Sequence, residues 1–326
     1  MTYTDICLGL LLAGLSAYLL FGGADFGAGA WHLLAHRRLR APAPGRDLAV
    51  VRAQREVIEH AMGPVWEANH VWLIFVMVMT WTAFPPIFAS IMTEYWVPLS
   101  LAALGIVIRG SAFVFWKAVP GGGRYALAFG ISSALTPYCL GAVAGAMTAG
   151  RTSWLSIEGL CAGLLTTVLC SYLAAVYLTA DARRLAGRDV TERFRLYALA
   201  AGVTVGVLAL PGAVVLDVRS PLIWLSAVAG VVSLVLLLLR RYLAVRVTAA
   251  LAAAAVLWGA ADLSDLDFEA AAAHDAVLRV VLIALGAGGI ILLPSLAWLY
   301  LLFQRDGRER ASLESGRASM EPGGEP

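Results

Sequence analysis

Charge is what this sequence has least of. Only 14% of its 326 residues are charged, while 60% are hydrophobic; soluble domains carry about 25% charged and about 45–50% apolar residues. No soluble core could hide that much apolar surface, which excludes an ordinary water-soluble domain. The formal net charge of +2 excludes the strongly basic balance that a nucleic-acid partner requires. Cysteine is scarce too: Cys7, Cys139, Cys161 and Cys170 all fall inside apolar runs, with no CxxC pair and no Cys/His grouping at ligand spacing. They read as small packing residues and say nothing about redox compartment. The chain also lacks a Gly-rich phosphate loop, a metal-ligand cluster and a nucleophile with a base at useful spacing. No catalytic residue and no metal ligand is therefore assigned.

What the chain has in abundance is long apolar runs, near 5–34, 61–92, 97–118, 125–149, 154–180, 196–216, 221–239, 243–262 and 278–303. At a rise of about 1.5 Å per residue each can cross a hydrocarbon layer of about 30 Å. The expected fold class is therefore an all-α polytopic membrane protein of about nine transmembrane helices, in a single transmembrane domain over 1–303. The first run has no basic segment before it and no cleavage site after it, so it reads as a retained span. Residues 304–326, rich in Gly, Ser, Glu and Arg, cannot bury enough apolar area to fold alone and read as a disordered tail. The linker from His36 to Arg55, with Pro42 and Pro44, reads as a loop that turns helical again near Asp47. Gly23 and Gly27, Gly141 and Gly145, and Gly202 and Gly206 have the small-xxx-small spacing of closely approaching helices.

The basic residues set the orientation, because Lys and Arg near helix ends resist translocation. With Met1 outside, the cytoplasmic connections carry Arg37, Arg38, Arg40, Arg46, Arg52 and Arg55, then Lys117 and Arg124, then Arg183, Arg184, Arg188, Arg193 and Arg195, then Arg240, Arg241 and Arg246, with Arg305, Arg308, Arg310 and Arg317 in the tail. The outside connections carry only Arg151, Arg219 and Arg279. The acidic stretch from Asp262 to Asp275 then lies outside.

Ionisable residues within spans are costly and usually functional. Asp25 in the first run and Arg109 in the third each lie about 13 Å from the inner end of their helices. The second run carries Trp66, Glu67, Asn69 and His70. Glu56, His60, Gly63, Glu67 and His70 step by 4, 3, 4 and 3 and share one face if the helix is continuous, which would make a polar track entering from the cytoplasm and stopping about halfway across. Pro64 could break that phase. The plainer alternative is that Glu67 and Arg109 neutralise each other and lock helix packing, with Glu56 and His60 solvated. The histidines do not form facing pairs suited to haem; His32 and His36, at a helix end, are expected to meet water and lipid headgroups. Trp31, Trp96, Trp154 and Trp258 fit an aromatic belt.

Several of these segments carry a resemblance. Gly23-Ala-Asp-Phe-Gly-Ala-Gly resembles the GFDxGxG element of subunit II of cytochrome bd oxidases. Gly63-Pro-Val-Trp-Glu-Ala-Asn-His-Val-Trp-Leu and Ala83-Phe-Pro-Pro-Ile-Phe-Ala resemble its PxWDGNxVWL and AxFPxxYA elements. Ile108-Arg-Gly-Ser-Ala-Phe resembles its FRxxxF stretch, and Leu293-Pro-Ser-Leu-Ala-Trp-Leu-Tyr fits its last helix. The resemblance implies two four-helix bundles plus one peripheral helix, paired with a haem-bearing subunit I that holds b-type and d-type haems. That complex, in a bacterial cytoplasmic membrane, oxidises quinol and reduces dioxygen to water. Subunit II carries no haem, and its expected roles are structural support and proton delivery, with room for a bound quinone. Lipids and quinol are its other expected partners. Carried over residue by residue, the proton path is Asp25, Glu67, His70 and Asn69, with Arg109 and Trp66 as ion-pair or structural neighbours. Three departures stand out: Gly22 replaces a frequent second acid, Glu67 replaces the usual Asp, and residues 150–275 match only in hydropathy.

A proton-coupled membrane transporter is the alternative, since it too uses mid-membrane carboxylates, but it favours broken helices in matching halves. A purely structural membrane partner is the third reading.

Overall fold

The computed structural model describes residues 2–40, 48–62, 66–118, 123–215, 220–292, 294, 295 and 298, with backbone alone at 40, 62, 66–68, 116–118, 123 and 212–215. The expected disordered tail at 304–326 lies outside the described residues. Every regular element among the described residues is helical. In chain order they are α1 (Tyr3–Ala17), a π-helical segment (Tyr18–Gly22), α2 (Gly23–Arg40), α3 (Leu48–Met62), α4 (Trp66–Ala83), α5 (Pro85–Glu94), α6 (Trp96–Ala118), α7 (Gly123–Thr148), α8 (Ile157–Leu185), α9 (Gly187–Val215), α10 (Pro221–Leu238) and α11 (Tyr242–Leu263), followed by α12 (Asp275–Leu292). Among the described residues eight helices are long and apolar enough to cross a membrane, or nine if the bent pair Asn69–Ala83 and Pro85–Glu94 counts as one span. Each of the nine apolar runs of the sequence thus contains helix among the described residues.

The chain divides into two compact units, Met1–Ala272 and Ala273–Pro326. In the first, α1, the π segment, α2, α4, α6 and α7 pack as one four-span group, and α8 to α11 pack as another. The seam is made where α2 and α7 both meet α8. In the second unit α12 is an apolar helix of 18 residues.

Two elements differ from the sequence reading. The second run is not one straight span, because the chain turns by 118° between α4 and α5. Pro85 and Pro86 cause this. Neither has an N–H to continue the α4 ladder, and a proline drives the residue before it out of the helical region. Phe84 accordingly takes φ −132° and ψ 60°, and Pro85 opens α5 from its first turn. The corner is packed: Phe84 is fully buried and meets Phe268 edge to face at 5.4 Å, while Trp81 stacks on Phe88 at 6.1 Å.

The second difference lies in the basic linker, where helix returns near Asp47 as expected but α2 extends beyond His36. α2 runs on to Arg40, and α3 is a full amphipathic helix from Leu48 to Met62. It buries Val51, Gln54, Val57 and Ile58 against α2, α8 and α9, and exposes Arg52, Glu56 and His60. The buried positions 51, 54, 57 and 58 follow helical spacing, but the polar Gln54 and the surrounding charges hide the pattern from any hydropathy reading.

Candidate functional site

The motif Gly23-Ala-Asp-Phe-Gly-Ala-Gly opens α2, directly after the π-helical segment. Its glycines allow contact, not flexibility. A Cβ on Gly27 would overlap the backbone carbonyl of Cys170 in α8, and one on Gly29 would overlap the hydroxyl of Ser133 in α7. With no side chain at either position, α2 lies against both neighbours at backbone distance, and Asp25 is drawn into the space between them.

There Asp25 meets Arg109 of α6. Both are buried, at 7% and 4% exposure, and Nη2 of Arg109 donates to Oδ1 of Asp25 at 2.7 Å. The same nitrogen reaches the backbone carbonyl of Asp25 at 3.1 Å, and Nε donates to Oγ of Ser133 at 2.9 Å. Two aromatic rings complete the cage: the guanidinium carbon lies 5.1 Å from the ring centre of Phe26 and 4.9 Å from that of Phe129. Cation–π attraction of this kind grows when the cation is desolvated. A permanently charged side chain is therefore given opposite charge, two further acceptors and two π faces at once. Isolated, it would cost several kcal/mol in hydrocarbon.

Arg109 thus pairs with Asp25; the alternative pairing of Arg109 with Glu67 falls on a side chain outside the described residues. Trp66 and Glu67 fall in the first turn of α4, and their side chains lie outside the described residues. Asn69 is buried and its Nδ2 donates to the carbonyl of Phe21 at 3.2 Å, one turn before Asp25 on the first span. π-helical turns inside α-helices mark functional sites often, and here the segment accepts a side chain from another span. His70 is half-buried beside it in sequence. The 4-3-4-3 stripe is carried by two helices, α3 and α4, with 63–65 outside the described residues, and its first members Glu56 and His60 face outward.

His32 is a second correction. It is fully buried rather than solvated, packed edge-on against Phe129 at 5.7 Å and beside His36 at 6.5 Å. The first span continues for more than a turn past Leu34, so position 32 is still inside the bundle. Trp31 is also a packing residue, stacked on Tyr197 at 4.7 Å and bonded to the carbonyl of Ser171 at 2.8 Å. Among the described residues no group of three or more His, Cys, Asp or Glu could hold a metal ion.

Sequence reasoning missed Ser133, Phe26 and Phe129, the shell that holds Arg109. The adjacent pair Ser132-Ser133 in an otherwise apolar run was the available signal. It also missed a second ion pair, Arg246 of α11 to Asp181 of α8 at 2.8 Å: Arg246 counts with a cytoplasmic connection, and Asp181 falls just past the end of its apolar run.

A polytopic, all-α membrane protein with a charge-paired centre between its first, third and fourth spans is the class that these features define. The chain belongs to the cytochrome bd terminal oxidase subunit II family, whose model matches residues 3–303. It is 25% identical over 178 residues to cytochrome bd ubiquinol oxidase subunit 2 of Bacillus subtilis (strain 168), covering 48% of this chain and 47% of that protein, so the match spans about half of that relative's length. In fold it is similar to the structure of bd oxidase from Geobacillus thermodenitrificans, with a TM-score of 0.68, 22% identity, and coverage of 93% of this chain and 99% of that one.

Breaking the Asp25–Arg109 pair on one side leaves a buried charge without its partner, so Arg109→Met will destabilise the protein by about 3–5 kcal/mol. The double replacement Asp25→Asn with Arg109→Met will recover most of that loss, since no orphaned charge remains. Unfolding in mild detergent measures both, and an Arg109→Met protein as stable as the parent would refute the assignment.

Proposed function

We propose that this chain is the haem-free subunit II of a cytochrome bd-type quinol:dioxygen oxidoreductase of a bacterial cytoplasmic membrane. It is not catalytic alone. A partner, subunit I, bears the b-type and d-type haems, oxidises quinol and reduces dioxygen to water, while this chain supports the assembly and helps deliver protons from the cytoplasm. The observation that carries the reading is the buried Asp25–Arg109 pair within a chain that matches the family along 3–303. Oxygen reduction consumes protons inside a low-dielectric protein, and a conducting path there needs ionisable and hydrogen-bonding groups at membrane depth. Asp25, Glu67, Asn69 and His70 are the groups proposed for it, with Arg109 and Trp66 in support. The transporter alternative draws on the broken span at Phe84, but among the described residues only one helix pair is bent in this way, and an inverted repeat calls for a counterpart.

Purification in mild detergent tests the assembly. The chain will co-purify with a second polytopic subunit, and the visible absorption of b-type and d-type haem will travel with that subunit. Stoichiometric haem on the isolated chain would sink the reading. Orientation is tested separately: an accessibility tag within 36–55 will report the cytoplasm and one within 264–275 the exterior, whereas finding both on one side would overturn the proposed topology.

Glu67 discriminates relay from packing. The variant Glu67→Gln keeps the shape and most hydrogen bonds but cannot titrate, so the assembled complex will show normal haem content and lost oxygen turnover. Glu67→Asp keeps a titratable carboxylate one methylene shorter and will retain much of the rate. Full turnover in an assembled Glu67→Gln complex would remove Glu67 from the path.

A further inference from the structure

Tyr18 opens the π-helical segment of the first span, and its ring lies along the helix toward the Asp25–Arg109 centre. A Cβ on Gly22 would stand 3.1 Å from two of the ring carbons, so the absence of a side chain at Gly22 is what leaves this lane open. At the far end of the lane the ring meets Phe26 edge to face at 6.4 Å, and Phe26 is one of the two rings that flank the Arg109 guanidinium. On the adjacent side stands Cys170 of α8, whose Sγ would be 3.2 Å from a Cβ on Gly23. The phenol is thus held between its own helix and α8, close to the ion pair.

Its hydroxyl oxygen is buried and has no hydrogen-bond partner among the described residues. Asp25 has an uncommitted oxygen as well. Arg109 takes Oδ1, while among the described residues no hydrogen bond reaches Oδ2. Buried polar atoms are nearly always satisfied, and where the protein offers no partner an ordered water does so. Such a water needs two to four polar partners. A phenol can donate and accept, a carboxylate oxygen accepts, and a guanidinium donates, so these groups meet the requirement.

We propose that an ordered water joins the Tyr18 hydroxyl to Oδ2 of Asp25, and that Tyr18 is a positioning residue for this carboxylate. The water gives Asp25 a hydrogen-bond contact that does not belong to Arg109, and through it the group can exchange protons. The functional part of this inference rests on the proton-delivery reading above; the water itself does not.

The test uses the complete two-subunit complex. A cryo-EM map that resolves other buried waters will show density between Tyr18 and Asp25, and the density will be missing in Tyr18→Phe, which removes one oxygen and little else. Tyr18→Phe will assemble with normal haem content, yet its oxygen turnover will fall roughly five- to tenfold, the scale of one lost ordinary hydrogen bond, and its pH profile will shift. Gly22→Ala, which keeps the hydroxyl but pushes the ring from its lane, will act in the same direction. A map of that quality with no water there overturns the proposal, and so does a Tyr18→Phe complex with unchanged turnover and pH profile. An assembled Asp25→Asn complex at full rate, with the water in place, would instead overturn proton delivery through Asp25 and leave the water link standing.

Discussion

A guanidinium cannot shed its proton inside a protein, and Arg109 is 4% exposed. Much of the surrounding architecture answers that constraint. Asp25 comes within hydrogen-bond distance on a helix, α2, that lies closely against α7 and α8, where Gly29 and Gly27 carry no side chains. Ser133 then takes the remaining direction of the guanidinium, and Phe26 and Phe129 exclude water from its faces. A motif that reads in one dimension as a string of small residues around an acid is, in three dimensions, the socket for a cation from a helix 84 positions further along the chain.

The helices were legible because the hydrocarbon layer imposes a length and a composition that any chain must meet. Nine apolar runs became eight spans and a bent pair, and even the bend was written in Phe84-Pro85-Pro86. What hydropathy could not show was how α3 packs. Its apolar face of Val51, Val57 and Ile58 is interleaved with charge, since it packs on the bundle with one side only. The return to helix near Asp47 was legible, and α3 begins at Leu48; its packing on the bundle was not.

The site was legible in its members but not in their pairing. Asp25, Asn69 and Arg109 were identifiable as polar groups at similar depth, because depth follows from counting residues along a helix. Which groups meet depends on the rotation of one helix against another, and several rotations put an acid at the level of Arg109. Packing chose Asp25. The same gap explains His32, where a helix end judged from hydropathy fell short of the true end at Arg40, so a core residue was taken for an interfacial one. Residues with no charge at all, such as Ser133 and Phe129, gave little sign of their part, because their role exists only once Arg109 is placed beside them.

The pairing also bears on how a proton could use this centre, on the proposed reading. Asp25 and Arg109 together carry no net charge, so the pair is far cheaper to bury than either member. A proton added to it would leave a net positive charge in the membrane interior, which costs several kcal/mol. The centre is therefore poorly suited to store protons and better suited to pass them, each arrival requiring a departure. A storing group would have to sit apart from the guanidinium, closer to water. On that reading Asp25, held by Arg109, passes protons on and does not store them.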